Sequence, residues 1–207
     1  ILNQFMQNGA RYPAYSSIVA GGHNACTLHY VSNNSLLKDG DLLLIDAGCE
    51  LENYASDITR TYPINGKFTP PQKDIYQIVL SAQKKAISKV MPGNYFSDPH
   101  KAATEEIVNG LIDLQILKAS RDEVFEKELY KEFFMHRTSH WLGLDVHDTG
   151  KYFDESLDGR DLKPIKFQES NVLTIEPGVY IKPNSKVPEE FWGIGIRIED
   201  DVLVTPS

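Results

Sequence analysis

Apolar residues first mark a pair of neighbouring strands. Residues 42–47 form a densely apolar run that ends at Gly48, as a buried strand does, and a second strand is predicted for residues 56–64. Because only a few polar residues separate the two runs, a hairpin is the simplest arrangement. That hairpin would bring Asp46 and Asp57 close together.

After this hairpin, the apolar residues recur with the spacing of α-helices. Thr69 precedes two prolines and an apolar stripe that reaches Val90, which predicts a capped helix with proline in its first turn. A second helix is predicted from Ser97, with a buried stripe that runs to Leu114. A third, shorter helix over residues 121–131 is highly charged, and we expect it on the surface.

Further extended runs are predicted near the start and near the end of the chain. Short strands are predicted at 17–20 and 28–31, a long polar loop at 150–170, and two further strands at 172–180 and 195–204. Strand, helix and strand groups therefore occur in two successive sets, and each set carries a pair of carboxylates. This order predicts an α+β fold with pseudo-symmetric halves that face one another across a site.

Composition narrows the class of protein. With 207 residues and 41% hydrophobic content, the chain is predicted to be one globular domain. The net charge of -8 disfavours nucleic acid and anionic membranes as partners, since both require clustered Lys and Arg. Cys26 and Cys49 lack zinc-ligand spacing and suit a reducing compartment. Without a visible signal peptide or membrane-spanning run, a cytoplasmic location is expected.

Potential metal ligands are the most informative residues of the chain. Four carboxylates and one imidazole make a hard, oxygen-rich set that suits two manganese or magnesium ions better than a thiolate zinc site. The set predicts metal-assisted hydrolysis. Its members are Asp46, Asp57, His140, Glu176 and Glu199.

Simpler interpretations exist for single members of this set. Asp46 also suits an Asx turn, Asp57 a solvated strand edge, and Glu199 a surface ion pair with Arg197 on the same strand face. Glu176 is different, because it follows apolar residues within a strand and its buried carboxylate would require a cation.

Histidines cluster in one short segment. His136, His140 and His147 lie within twelve residues, and the first two have the i, i+4 spacing of a zinc helix. Zinc is the weaker interpretation, because the HExxH pattern is missing and the remaining candidate ligands are carboxylates.

Five motifs together resemble a known family: LLIDAG at 43–48, SDITRT at 56–61, SHWLGLDVHD at 139–148, TIEPG at 174–178 and GIRIED at 195–200. The chain resembles bacterial aminopeptidase P, the Xaa-Pro aminopeptidase among the "pita-bread" metallopeptidases. The resemblance implies a pita-bread fold around a dinuclear site. It also implies a dimanganese enzyme that removes the first residue from peptides with proline in second position.

The resemblance assigns roles to the ligands. Asp46 would hold one metal, Asp57 and Glu199 would bridge both, and His140 and Glu176 would hold the other. Glu176 would also pass a proton from the nucleophile to the departing proline nitrogen.

Other site residues are implied in the same way. His29 and His136 would lie at the proline subsite, and His147 would contact the substrate around the scissile bond and stabilise the oxyanion. Arg197 and Tyr180 match positions that hold the carboxylates.

The chain departs from the family in three respects. Arg137 stands where related enzymes usually have Gly, and the 150–170 loop is several residues longer than usual. The chain opens on Ile1 without an initiator Met, so residues 1–207 are expected to be a catalytic domain that lacks the family's amino-terminal domain and first catalytic helices. A homo-oligomer, dimer or tetramer, is a family expectation.

Alternatives remain open at this point. Prolidase uses the same ligands but accepts only dipeptides that end in proline. Methionine aminopeptidase is less favoured, because the motifs at 139–143 and 195–200 do not resemble its own. A non-catalytic, peptide-binding pita-bread domain is a third alternative, although such domains typically lose ligands and all five are present here.

Overall fold

The computed structural model describes residues 1–155, 162–183 and 186–206. Its α-helices are α1 (Leu2–Gln7), α2 (Pro70–Ile87), α3 (Asp98–Asp113) and α4 (Arg121–Glu126). Its strands are β1 (Tyr12–Pro13), β2 (Ile18–Gly21), β3 (Leu42–Asp46), β4 (Cys49–Leu51), β5 (Tyr54–Ala55), β6 (Thr59–Pro63), β7 (Phe153–Glu155), β8 (Leu162–Pro164), β9 (Val172–Ile175), β10 (Gly178–Ile181), β11 (Ile194–Arg197) and β12 (Asp200–Leu203). The mixed α+β class is therefore confirmed.

Two long, interrupted hairpins organise the fold. In the first hairpin (β3 to β6), β3 pairs antiparallel with β6 and places Asp46 opposite Thr59, after which β4 pairs with β5. In the second hairpin (β9 to β12), β9 pairs with β12 and places Ile175 opposite Asp200, after which β10 pairs with β11. The two halves thus have the same strand order, with their interruptions at equivalent places.

The interruptions correct three predicted strands. In the first hairpin, the strand predicted at 56–64 begins only at Thr59. Residues 172–180 and 195–204 are each split, at Glu176–Pro177 and at Ile198–Glu199. The reason lies in backbone bonding outside the hairpin. The N–H of Glu199 donates to the carbonyl of Thr59 in the first hairpin at 3.1 Å, and the N–H of Glu176 donates to Thr138 at 2.8 Å. Neighbouring segments therefore satisfy the donors that a continuous ladder would have used.

Helices α2 and α3 were predicted with small errors at their ends. The N–H of Thr69 donates to Gln72 Oε1 at 2.9 Å, which is half of a capping box. Helix α2 ends at Ile87, three residues before Val90. It packs closely on α3, where a Cβ added at Gly110 would lie 2.5 Å from Ile78 Cγ1. Their buried stripes join the second hairpin in one core.

Three further predictions were wrong. Residues 28–31 form no strand, because the Asn33 amide bonds to Val19 N–H and to Ser17 carbonyl along β2 in place of a strand. The 121–131 helix ends at Glu126, since Glu128 adopts a left-handed φ of 50°. The 150–170 loop contains the hairpin of β7 and β8. Its residues 156–161 lie outside the described part of the chain.

Among the residues that the structure describes, no helix is long and apolar enough to cross a membrane.

Candidate metal centre

The structure brings the five predicted ligands together at the interruptions of the two hairpins. Asp46 ends β3, Asp57 lies two residues before β6, Glu176 follows β9, and Glu199 precedes β12. His140 enters from the segment before β7, and its Nε2 lies 3.4 Å from Asp57 Oδ2 and 3.6 Å from Glu176 Oε1. One side-chain donor atom each from Asp57, His140 and Glu199 lie within 4.8 Å of one another. We call these five residues the ligand cluster.

The carboxylates of the ligand cluster are crowded and little exposed. Asp46, Asp57 and Glu199 are 8%, 6% and 1% exposed. Burial, and then the neighbouring carboxylates, raise the pKa of Glu199 well above its ordinary value, and burial raises the pKa of Glu176 to about 7. Negative charge packed in this way calls for cations nearby, and oxygen-rich ligands are those that hard divalent ions prefer. The donor set therefore fits divalent metal ions.

His140 is oriented to use one particular nitrogen. Its Nδ1–H donates to the Trp141 carbonyl at 2.9 Å, which leaves Nε2 facing Asp57 and Glu176. Fixing the tautomer through the other ring nitrogen is the usual support for a metal-binding histidine. A second hydrogen bond, from His140 N–H to Thr174 Oγ1 at 3.2 Å, holds its backbone to β9.

Arg197 holds the carboxylates from behind, whereas Tyr180 contacts Arg197 and His136 rather than a carboxylate. Arg197 is 4% exposed, and its guanidinium donates to Asp46 Oδ2 at 2.6 Å, to the Tyr180 hydroxyl at 2.8 Å and to Thr59 Oγ1 at 3.2 Å. Thr59 Oγ1 in turn donates to Glu199 Oε2 at 2.6 Å. Burial by itself lowers the pKa of Arg197, but Tyr180, Asp46 and Glu199 outweigh it and the pKa is raised. The guanidinium therefore stays charged.

Sequence reasoning missed three residues of this network. The Tyr15 hydroxyl lies 2.5 Å from Asp46 Oδ1 and 2.5 Å from Asp57 Oδ1, and Asp201 Oδ2 accepts from the Asp57 N–H at 3.1 Å. Thr59 follows Asp57 by two positions, so strand alternation was a usable signal for it. Tyr15 lies in an irregular segment, and no local pattern marks it.

Gly48 is required for the first hairpin to close. A Cβ at Gly48 would lie 1.6 Å from the carbonyl oxygen of Ser56, on the opposite arm of the hairpin. Only glycine permits this approach, which keeps the segment bearing Asp57 against the end of β3.

The three predicted substrate histidines line a cavity of about 760 Å³ that also contains the ligand cluster. His29 and His147 are exposed, and the His147 ring lies 4.2 Å from the His140 ring between centroids. His136 differs, since its Nδ1–H donates to the Arg137 carbonyl at 2.7 Å and its Nε2 accepts from the Tyr180 hydroxyl at 2.8 Å. Burial lowers the pKa of His136 to about 4, so its ring is neutral.

The sequence matches the profile of metallopeptidase family M24 over residues 1–206. The chain belongs to this family. Membership of a metallopeptidase family implies divalent metal ions, in agreement with the donor set of the ligand cluster.

Individual relatives are similar along the whole chain. It is 51% identical over 209 residues to an Xaa-Pro aminopeptidase of Haemophilus influenzae, covering 99% of this chain and 46% of that protein. It is 48% identical over 207 residues to an Xaa-Pro aminopeptidase of Escherichia coli, covering 100% of this chain and 45% of that protein. The chain therefore spans about half the length of the curated relatives it matches.

Solved structures of the family share the fold. The Pseudomonas aeruginosa aminopeptidase PepP superposes with a TM-score of 0.93 at 49% identity, covering 99% of this chain and 45% of that one. An Escherichia coli aminopeptidase P variant in complex with substrate gives a TM-score of 0.91 at 47% identity, covering 98% and 44% of the two chains. The pita-bread fold is thereby confirmed.

Proposed function

We propose that residues 1–207 form the catalytic domain of an Xaa-Pro aminopeptidase. It would release the first residue from peptides that have proline in second position. The ligand cluster within the 760 Å³ cavity carries this proposal, because carboxylate and imidazole groups that could hold metal ions, among them Asp57, His140 and Glu199, lie together where there is room for a peptide. Similarity to the two bacterial Xaa-Pro aminopeptidases supports the choice of substrate.

Each ligand has a place in the proposed chemistry. Asp46, Asp57, His140, Glu176 and Glu199 would together hold two divalent ions. Divalent ions held there would lower the pKa of a bound water and would polarise the peptide carbonyl oxygen. We propose manganese for both, because the ligands are mostly carboxylates.

Glu176 is the residue proposed to move the proton. Its Oε1 lies 3.6 Å from His140 Nε2, inside the ligand cluster. There it would take a proton from the nucleophile and deliver it to the proline nitrogen, which leaves poorly unless it is protonated. The surrounding carboxylates would attract the substrate α-amine, which restricts cleavage to the first residue.

The histidines are proposed to bind the peptide. Exposed His147, next to His140, would donate a hydrogen bond to the oxyanion, and His29 would contact the substrate near the proline. His136 has both ring nitrogens occupied by protein groups, so it would present its ring surface to the proline rather than exchange a proton.

The decisive experiment uses metal-stripped full-length enzyme, with and without added manganese. An Xaa-Pro-Yaa tripeptide and the matching Xaa-Pro dipeptide are the substrates. We expect manganese-dependent release of the first residue from the tripeptide. Glu176→Gln should reduce turnover at least about a thousandfold. Glu126→Gln, which removes an exposed carboxylate on α4, is the matched control and should retain full activity.

The same assay separates the alternatives. Cleavage of the dipeptide alone would identify a prolidase, and silence toward both peptides with bound manganese would favour a non-catalytic peptide-binding domain. Substantial activity of Glu176→Gln at saturating manganese would refute the role given to Glu176.

A cytoplasmic location and a homo-oligomeric state, dimer or tetramer, complete the proposal. Two free cysteines, Cys26 buried and Cys49 partly buried, are compatible with a reducing compartment. Light scattering of the full-length enzyme would measure the oligomeric state.

A further inference from the structure

The central cavity is also lined by residues outside the ligand cluster and the three histidines, and we call the part that they line the continuation of the cavity. One wall of this continuation is aromatic, where the rings of Phe96 and Tyr152 lie 5.0 Å apart between centroids. Polar groups also line it. The hydroxyls of Ser97 and Ser139 are buried and have no hydrogen-bond partner within the described part of the chain. Buried polar groups of this kind are normally bonded, so these two hydroxyls are unsatisfied groups in the lining.

Arg137 supplies the positive charge in this continuation. Its side chain is exposed and lines the cavity, and it makes no ion pair with any residue that the structure describes. Its backbone is anchored, because its carbonyl accepts the His136 Nδ1–H at 2.7 Å. The neighbouring His100 is neutral, since burial and then the Arg137 charge lower its pKa to about 4. The unpaired guanidinium therefore belongs to the residue directly after His136 and lines the same cavity as the proposed proline subsite.

Charge is distributed unevenly along the cavity. The ligand cluster provides four carboxylates at one end. Arg197, the other arginine among the described lining residues, is 4% exposed and bonded to Asp46. Arg137 is thus the arginine free to meet an anion. A peptide has the opposite polarity, with its amine first and its carboxylate last, and three extended residues span about 10 Å.

We propose that Arg137 binds a carboxylate of the peptide on the leaving-group side of the scissile bond and thereby selects short or acidic substrates. This inference rests on the proposed function, which places the proline beside His136. The carboxylate would be either the C-terminal one or that of an acidic side chain after the proline. An exposed guanidinium pairs with a carboxylate in two parallel hydrogen bonds, although solvent weakens the interaction.

The expected signature is a preference for free-acid over amidated peptides. We expect kcat/KM to favour the acid about fivefold to tenfold, mostly through KM, because the contact is made equally in ground state and transition state. The preference should shrink at high salt, where exposed charges are screened.

The experiment uses manganese-loaded full-length enzyme and matched peptide pairs. Xaa-Pro, Xaa-Pro-Yaa and Xaa-Pro-Yaa-Zaa are each compared as free acid and as amide, and Xaa-Pro-Asp-amide is compared with Xaa-Pro-Asn-amide. The first comparison tests the C-terminal carboxylate at three distances, and the second tests an acidic side chain. Arg137→Gln removes the charge at similar length, and Arg137→Lys retains it. Arg121→Gln is the control, because it removes an exposed charge on α4.

Arg137→Gln should bring the ratio of kcat/KM for the free acid to kcat/KM for the amide close to one. It should leave cleavage of the amides unchanged. Arg137→Lys should retain part of the preference, and Arg121→Gln all of it. An unchanged ratio in Arg137→Gln, or an equal loss toward acids and amides, would overturn the inference while the proposed function stands. Failure of the wild-type enzyme to cleave any of the peptides would instead overturn the proposed function, and this inference with it.

Discussion

Arg197 is the buried cation on which the ligand cluster depends, and its removal should be costly. Its guanidinium donates hydrogen bonds to Asp46, Tyr180 and Thr59, at 2.6, 2.8 and 3.2 Å. Arg197→Met keeps most of the volume but removes the charge and all three donors. Asp46 is 8% exposed and would keep the Tyr15 hydroxyl as its remaining neighbour.

The size of the effect follows from this burial. Removing one partner of a buried ion pair costs about 3–5 kcal/mol, because the other charge is left uncompensated. For a protein of this size, that loss corresponds to a melting temperature lower by about 6–20 °C. Arg197→Lys should lie between the wild type and Arg197→Met, since one ammonium cannot reproduce the planar fork. Bound manganese should reduce the loss, because a cation at Asp46 replaces part of the missing charge.

Urea unfolding of wild type and variants, with and without manganese, measures the loss of stability directly. The midpoint and slope give the free energy of unfolding. Arg121→Met removes an exposed arginine whose ion pair with Glu105 is 3.8 Å long, and it should change stability by less than about 0.5 kcal/mol. A metal-free Arg197→Met protein within about 1 kcal/mol of wild type would refute the reasoning.

Three further predictions concern metal affinity, packing and pH. Tyr15→Phe removes the hydroxyl 2.5 Å from both Asp46 and Asp57, and manganese affinity measured by calorimetry should fall about 10–100-fold; unchanged affinity would contradict this role. Gly195→Ala would place a Cβ 2.5 Å from the Ala25 backbone, so it should lower the free energy of unfolding by about 1–3 kcal/mol or more. Gly110→Ala should cost less, because its Cβ would meet only the flexible Ile78 side chain, and equal losses would be inconsistent with the geometry. Because burial lowers the pKa of His100 from 6.5 to about 4, the unfolded chain binds the proton first, and stability should be lost as pH falls from 6.5 to 4, by about 2 kcal/mol at pH 5. His100→Asn should flatten this part of the stability profile, and an unaltered profile would show that His100 does not titrate in this way.

Much of the fold could be predicted because its signals are local. The capped start of α2, the apolar stripes of α2 and α3, and the first hairpin each follow from neighbouring residues. The errors fall where distant residues intervene. At 28–31 a single side chain, Asn33, takes the backbone groups of β2 that a strand would have used.

The candidate site divides in the same way. The ligand cluster was predicted because five motifs combine, because Glu176 interrupts an apolar run, and because Glu199 shares a strand face with Arg197. The residues that hydrogen-bond to the ligand cluster were less visible in the sequence. Tyr15 precedes Asp46 by 31 positions, and Thr59 precedes its partner Glu199 by 140. Hydrogen bonds over such separations leave no periodic trace.

The sequence by itself therefore predicted which residues gather in the ligand cluster, which segments form the long helices, and that two carboxylate pairs lie in two similar halves. The tertiary structure alone decided where the strands break and which groups hold the ligands in place. The N–H groups of Glu176 and Glu199 bond to Thr138 and Thr59 rather than to a strand partner. A backbone donor where a strand is interrupted bonds to a carbonyl that the folded chain brings near. The acceptor is therefore fixed only when the two halves pack together.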